Sequence, residues 1–174
     1  MDLLQSMADR RSVRAYTEEP IPEEALDRIL KAGLISPTSH NSKPWEFIVI
    51  RDRETLNAMA KCRVGSAKML EGANAAIVVL ADQEKTNVWI EDCSIAMAYM
   101  HLMADSLGVG SCWIQGRGRD AENGQTTEDY LRGLLSFPEN YRLGAILSLG
   151  MPKAHPAGHD LSTLLTDRIH QEKF

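Results

Sequence analysis

A fold that mixes helices and strands follows from three observations on the sequence. About four or five short runs rich in β-branched or aromatic residues alternate with segments of helical periodicity. One of those runs, Ala75 to Ala81, is apolar throughout, as in a strand covered on both faces. The 174 residues amount to one domain, 1–174. A chain of that length buries roughly 70% of its unfolded surface, enough for a core without disulfides. Strands separated by helices imply two or three packed layers.

The elements can be justified in order. Leu3, Leu4 and Met7 recur at helical spacing and predict a short helix ending near Arg10. Pro22 stands where a first helical residue belongs, and Glu23 and Glu24 complement the positive end of the helix. Leu26, Ile29, Leu30 and Leu34 mark one face of that helix, to about Ile35. Residues 36–44 are polar and bracketed by prolines, hence a loop, and Trp45 to Ile50 reads as a strand. Asp52 caps a short helix carrying Leu56, Met59 and Ala60. Beyond the apolar run, Trp89 to Leu107 is the longest helix, stopped by Gly108. Trp89, Cys93, Met97, Met100, Ala104 and Leu107 trace one apolar stripe on it, and Ile95, Ala98 and Leu102 a second. Such a helix is sandwiched, either inside the domain or against another subunit. Ser111 to Gln115 predicts a strand, Thr126 to Leu135 a helix and Arg142 to Leu149 a strand, with one or two helical turns after Asp160.

Composition removes several classes of function. Apolar residues make up 44% and charged residues 25%, so the chain is not disordered. No apolar run approaches the ~20 residues of a membrane span. A net charge of −5 gives no general attraction for nucleic-acid phosphates. Cys62, Cys93 and Cys112 are odd in number and widely spaced, which fits neither a disulfide framework nor a zinc module. With no signal-peptide pattern at Met1 to Ser6, the expected location is the reducing cytoplasm. Dinucleotide, phosphate-loop, zincin and nucleophile-elbow motifs are all missing; Ile146-Leu147-Ser148-Leu149-Gly150 lacks the first glycine of the last. An enzyme with this sequence would rely on a bound cofactor for the difficult chemistry.

Three segments carry possible chemistry, and each also has an ordinary structural explanation. Arg10-Arg11-Ser12-Val13-Arg14 holds three guanidinium groups and a hydroxyl, a donor set suited to phosphate, yet equally a solvated basic turn at a helix end. Residues 36–45 offer small donors and acceptors to a planar heterocycle, or simply connect a helix to a strand. Gly108 to Gly116 places glycines at both ends of a strand, where backbone approaches a ligand or a helix cap meets a core strand. His155 and His159 lie four apart, but Pro156 and Gly158 oppose the helix that would align them on a metal. His101 reads as a satisfied buried histidine.

In their order and spacing these segments resemble the FMN-dependent nitroreductase family. The likeness rests on Arg10 to Tyr16, on Ser36 to Trp45 with Glu46-Phe47-Ile48-Val49-Ile50, on Lys68-Met69-Leu70, on Leu107 to Ile114, and on Leu149-Gly150-Met151-Pro152. The resemblance implies an α+β fold with a central, mostly antiparallel sheet flanked by helices, in an intertwined homodimer with two FMN sites at the interface. It implies that Arg10 and Ser12, with Arg11 beside them, hold the FMN phosphate, and that Arg14 and Lys68 lie near the pyrimidine edge of the ring. Pro37, Thr38, Ser39 and Asn41 would come from the other subunit, while Ile114, Gln115 and Gly116 present backbone to the ring. Arg168 and His170 stand in for the lysine/arginine pair that longer members place near the C-terminus. Lys43 stands where glutamine is commoner, and the short polar stretch from Gly116 to Glu128 implies an open substrate pocket.

The implied activity is NAD(P)H oxidation by ping-pong hydride transfer, with nitroaromatics, quinones or flavins as small aromatic oxidants and no catalytic side chain. The alternative from another class is an FMN-binding carrier or sensor without NAD(P)H turnover.

Overall fold

In the computed structural model, which describes residues 2–174, four strands form one sheet. They are β1 (Trp45–Ile50), β2 (Ala75–Asp82), β3 (Gly110–Gln115) and β4 (Tyr141–Gly150), in the order β1-β2-β4-β3 with every neighbour antiparallel. Five α-helices accompany them: α1 (Leu3–Asp9), α2 (Glu23–Leu34), α3 (Arg53–Met59), α4 (Trp89–Ser106) and α5 (Thr127–Leu135). The expected α+β class with an antiparallel sheet is what the chain adopts.

Strand β2 explains why the sheet needs helices on both sides. Ala75, Ile77, Val79 and Ala81 enter one core, which α2 and α4 cover with Leu26, Ile29, Cys93, Met97 and Met100. Ala76, Val78 and Leu80 enter the other, closed by Leu56 and Met59 of α3 and Leu131 of α5. Side chains of a strand alternate between faces, so a wholly apolar strand demands two apolar covers. Between Val79 and Leu80 the register with β4 shifts, leaving Gly144 unopposed. A Cβ on Gly144 would meet Cys93 Cβ at 2.9 Å, so the glycine at this bulge lets α4 pack close to the sheet.

Local signals set most boundaries. Asp52 Oδ2 accepts from Thr55 N–H at 2.8 Å and caps α3, and Thr126 caps α5 through Asp129 N–H at 3.0 Å. Gly108, at φ +73°, follows α4 as expected. Pro22 sits one place earlier than predicted: its carbonyl accepts the first helical bond, from Leu26 N–H at 3.1 Å, which makes it the cap of α2. On α4 the first stripe is buried at Cys93, Met97, Met100 and Ala104 and partly buried at Trp89 and Leu107. Ile95 stays 36% exposed and Tyr99 41%, so of the two expected arrangements the protomer alone does not sandwich the second face. From Lys153 onward every residue is exposed, with short turns at Leu161–Thr163 and Thr166–Arg168.

Candidate functional site

The basic segment after α1 is laid as an extended strap along β3. Ser12 pairs in parallel with Ser111, and Val13 N–H donates to the Ser111 carbonyl at 2.9 Å. Further on, Tyr16 pairs with Pro152, Thr17 N–H donates to Met151 at 2.8 Å, and Lys153 N–H donates to Ala15 at 3.0 Å. The Tyr16 hydroxyl lies 2.8 Å from both the Val13 carbonyl and Ser148 Oγ, in the interior. Two glycines paired across the sheet, Gly110 and Gly150, make room for this. A Cβ on Gly110 would meet Val13 Cγ1 at 2.8 Å, and one on Gly150 would meet the Tyr16 ring at 2.6 Å.

The three arginines of the strap have different neighbours. Arg10, half-buried, places Nη1 2.9 Å from His101 Nε2, and His101 Nδ1 is 2.5 Å from Ser111 Oγ. His101 is 8% exposed, and burial pushes its pKa down to about 4; the neighbouring Arg10 charge acts in the same direction and Asp105 opposes it. Arg11 donates instead to the Ala157 carbonyl, so its guanidinium is committed to the chain's own C-terminal segment. Arg14 is exposed and close enough to Cys112 to counteract the burial that raises that thiol. Ser12 is half-buried beside the same cysteine.

The loop of residues 36–44 sits at the opposite end of α4. Ser39 N–H donates to Asp92 Oδ1 at 2.9 Å, and Lys43 N–H donates to Thr38 Oγ1 at 3.1 Å. His40, Asn41 and Lys43 all take left-handed backbone, with φ of 49°, 56° and 46°. Such non-glycine residues cost on the order of 1 kcal/mol each and persist where surrounding bonds hold them. Asp92 is 2% exposed, yet its Oδ2 has no hydrogen-bond partner among the described residues. Along α4, Asp92 and His101 are separated by roughly 13 Å of helix rise. One protomer therefore keeps Pro37, Thr38, Ser39 and Asn41 away from its own Arg10.

The remaining predicted residues divide in the same way. Ile114 is fully buried in the second core, which leaves only its backbone to offer; Gly116 is buried too. Gln115 Oε1 accepts from Trp113 Nε1 at 3.1 Å, and its amide donates to the Arg117 carbonyl at 3.1 Å. Gly116 faces inward: a Cβ there would run into Leu143 Cδ2, so packing already requires glycine. Lys68 is exposed at the start of the turn Lys68–Gly72. Arg168 and His170 lie on the exposed tail with local contacts only, Arg168 N–H to Leu165 at 3.1 Å and the His170 ring 4.3 Å from that of Phe174. His155 turns to Asp105, 2.7 Å away, and to the Pro156 carbonyl. Asp92 and Tyr16 were not singled out by the sequence; the usable signal was an acid beside the apolar stripe of the longest helix.

Comparison with known proteins decides the family. The model of the nitroreductase family matches residues 7–62 and 57–151. The chain belongs to the nitroreductase family. A nitroreductase described as FMN-dependent, from Clostridium difficile R20291, superposes with a TM-score of 0.94 at 40% identity, over 99% of this chain and 100% of that one. A protein from Desulfovibrio desulfuricans, solved in complex with FMN, gives a TM-score of 0.80 at 26% identity, covering 100% of this chain and 98% of its own. An Archaeoglobus fulgidus relative, provisionally named NADH dehydrogenase/NAD(P)H nitroreductase, is 37% identical over 99% of both chains. These relatives support an oxidoreductase. No helix among the described residues is long and apolar enough to cross a membrane.

Proposed function

We propose that this nitroreductase-family chain is an FMN-dependent oxidoreductase, cytoplasmic and homodimeric. In this reading it takes electrons from NAD(P)H and delivers them by a ping-pong scheme to nitroaromatics, quinones or free flavin. One observation carries the proposal. The strap bearing Arg10, Ser12 and Arg14 is bonded in register to Ser111, near the start of β3, and the chain leaves the other end of that strand through Gln115 and Gly116. Residues 111 and 116 are roughly 16 Å apart along a strand. That spacing suits a molecule with a phosphate at one end and a planar heterocycle at the other.

The residues present fit such a group. The strap from Arg10 to Tyr16 holds three guanidinium groups, a serine hydroxyl and no carboxylate, a donor set that suits phosphate oxygens. Bound FMN would supply reversible hydride acceptance at its ring, which no amino-acid side chain offers. Arg10 and Ser12 would grip the phosphate, with Arg11 closing the strap against the C-terminal segment. Arg14 and Lys68, both exposed cations, would stabilise negative charge that reduction brings to the pyrimidine edge. Backbone at Ile114, Gln115 and Gly116 would face the ring.

A second copy completes this picture. The uncovered face of α4, the exposed Leu3, Leu4 and Met7 of α1, and the tail with Leu164, Leu165 and Ile169 together leave apolar surface that the protomer does not bury. Pro37, Thr38, Ser39 and Asn41 of one protomer would then line the site of the other, as would Arg168 and His170. The test is a titration. Purified protein should bind FMN and be yellow, NADH or NADPH should bleach it, and menadione or a nitrofuran should restore the colour. Failure to take up FMN overturns the reading; FMN binding without bleaching identifies a carrier or sensor instead.

A further inference from the structure

Resting on the reading of Arg10 as a phosphate ligand, we propose that His101 is a positioning residue whose neutral imidazole accepts a hydrogen bond from Arg10 and aims its guanidinium at the flavin phosphate. Arginine has donors and no acceptor, so the ring nitrogen 2.9 Å from Arg10 Nη1 must present its lone pair. The proton of the neutral ring then sits on Nδ1, which donates to Ser111 Oγ at 2.5 Å. Ser111 is buried, and its backbone is the partner of Ser12 and Val13. One imidazole thus ties α4, the strap and β3 together at the base of the basic cluster.

The arrangement demands neutrality. A protonated ring would offer Arg10 a second positive charge in place of an acceptor. Arg10 on the strap and Asp105 on α4 are the charged groups acting on His101, and burial prevails over Asp105 to keep the ring uncharged. A hydrogen bond to a single Nη leaves the rest of the Arg10 fork free for phosphate oxygens, and holding one edge of a flexible side chain reduces the entropy lost on binding. The imidazole itself meets no ligand.

Riboflavin shares the ring of FMN and lacks the phosphate, so the ratio of the two affinities isolates this role. Fluorescence titration of the full-length protein, after flavin removal, should show FMN preferred over riboflavin. His101→Leu removes the acceptor at similar volume and should shrink that preference about tenfold, with riboflavin affinity unchanged. His101→Gln, whose carboxamide can accept from Arg10 and donate to Ser111, should retain most of it. Arg10→Ala should shrink it as well, and adding His101→Leu to that variant should change nothing more. If His101→Leu does not fold, His101→Asn, too short to reach Arg10, replaces it. An unchanged preference in the leucine variant overturns the proposal, as does equal weakening toward both flavins. Nitrogen-15 NMR of the unliganded wild type should find the proton on Nδ1; finding it on Nε2 is fatal. A wild type that does not distinguish the flavins defeats the phosphate reading of Arg10 itself, whereas a wild-type preference untouched by His101→Leu defeats only the role of His101.

Discussion

The two segments proposed to share one phosphate are held in opposite ways. The N-terminal strap is bonded into the sheet, with Ser12 on Ser111 and Tyr16 on Pro152, and Tyr16 is plugged into the interior. The C-terminal tail that carries Arg168 and His170 is exposed throughout, and its hydrogen bonds beyond Asp160 are local. The strap is organised by its own protomer before any ligand arrives. Leu164, Leu165 and Ile169 of the tail stay more than half exposed in the protomer. A contact built from both is therefore half preorganised and half dependent on assembly, and the two halves should fail separately.

Deleting residues 161–174 should have the largest effect. Leu161, Leu164, Leu165 and Ile169 are exposed in the protomer, and covering each by a second copy contributes on the order of 1.5 kcal/mol or more. Dimer affinity should fall by roughly a thousandfold or more, seen by sedimentation, while far-ultraviolet circular dichroism of the body is retained. An undiminished dimer would show that the tail is idle.

Gly150→Val strikes the other half. The new side chain would displace the Tyr16 ring, costing about 3 kcal/mol in urea unfolding and releasing the strap, so FMN uptake should be lost as well. Tyr16→Phe is milder. It strips a partner from the Val13 carbonyl and from Ser148 Oγ, and should cost about 1–2 kcal/mol with dimerisation intact.

The smallest effect belongs to the root of the tail, where His155 meets Asp105. The Asp105 carboxylate holds the His155 pKa above its ordinary value, with Pro156 and Asp9 adding to the shift. A raised folded-state pKa means that the contribution is complete below the unfolded value of about 6.5 and fades as pH climbs through the raised value. Protection of the His159 amide, which donates to the Ala8 carbonyl, should fall over that window once the intrinsic pH dependence of hydrogen exchange is divided out, and His155→Gln should remove that fall.

Much of the fold is legible because its signals are local. Ala75 to Ala81 announces a strand with two covers, and Asp52, Thr126 and Gly108 act within a turn of where they stand. The donor chemistry of Arg10 to Arg14 is legible for the same reason. What escapes is partnership across the chain. Arg10 and Arg11 look alike in sequence, yet one turns to His101 and the other to Ala157. Gly116 looks like a place for a ligand, and the residue it makes room for is Leu143. Asp92, not singled out in the sequence, proves to be an interior acceptor for the loop at Ser39.

By itself, then, the sequence determined which segments are helix or strand, which faces must be covered, and where cations and hydroxyls are concentrated. Residue spacing and side-chain chemistry need no knowledge of the rest of the molecule. Only the tertiary structure decided that the strap lies against β3, that the loop of residues 36–44 is held at the far end of α4, and that Arg10 stands on a buried histidine ninety-one residues away. Those outcomes depend on which buried donor finds which acceptor once two cores have closed around the sheet, and no periodicity in the chain encodes that match.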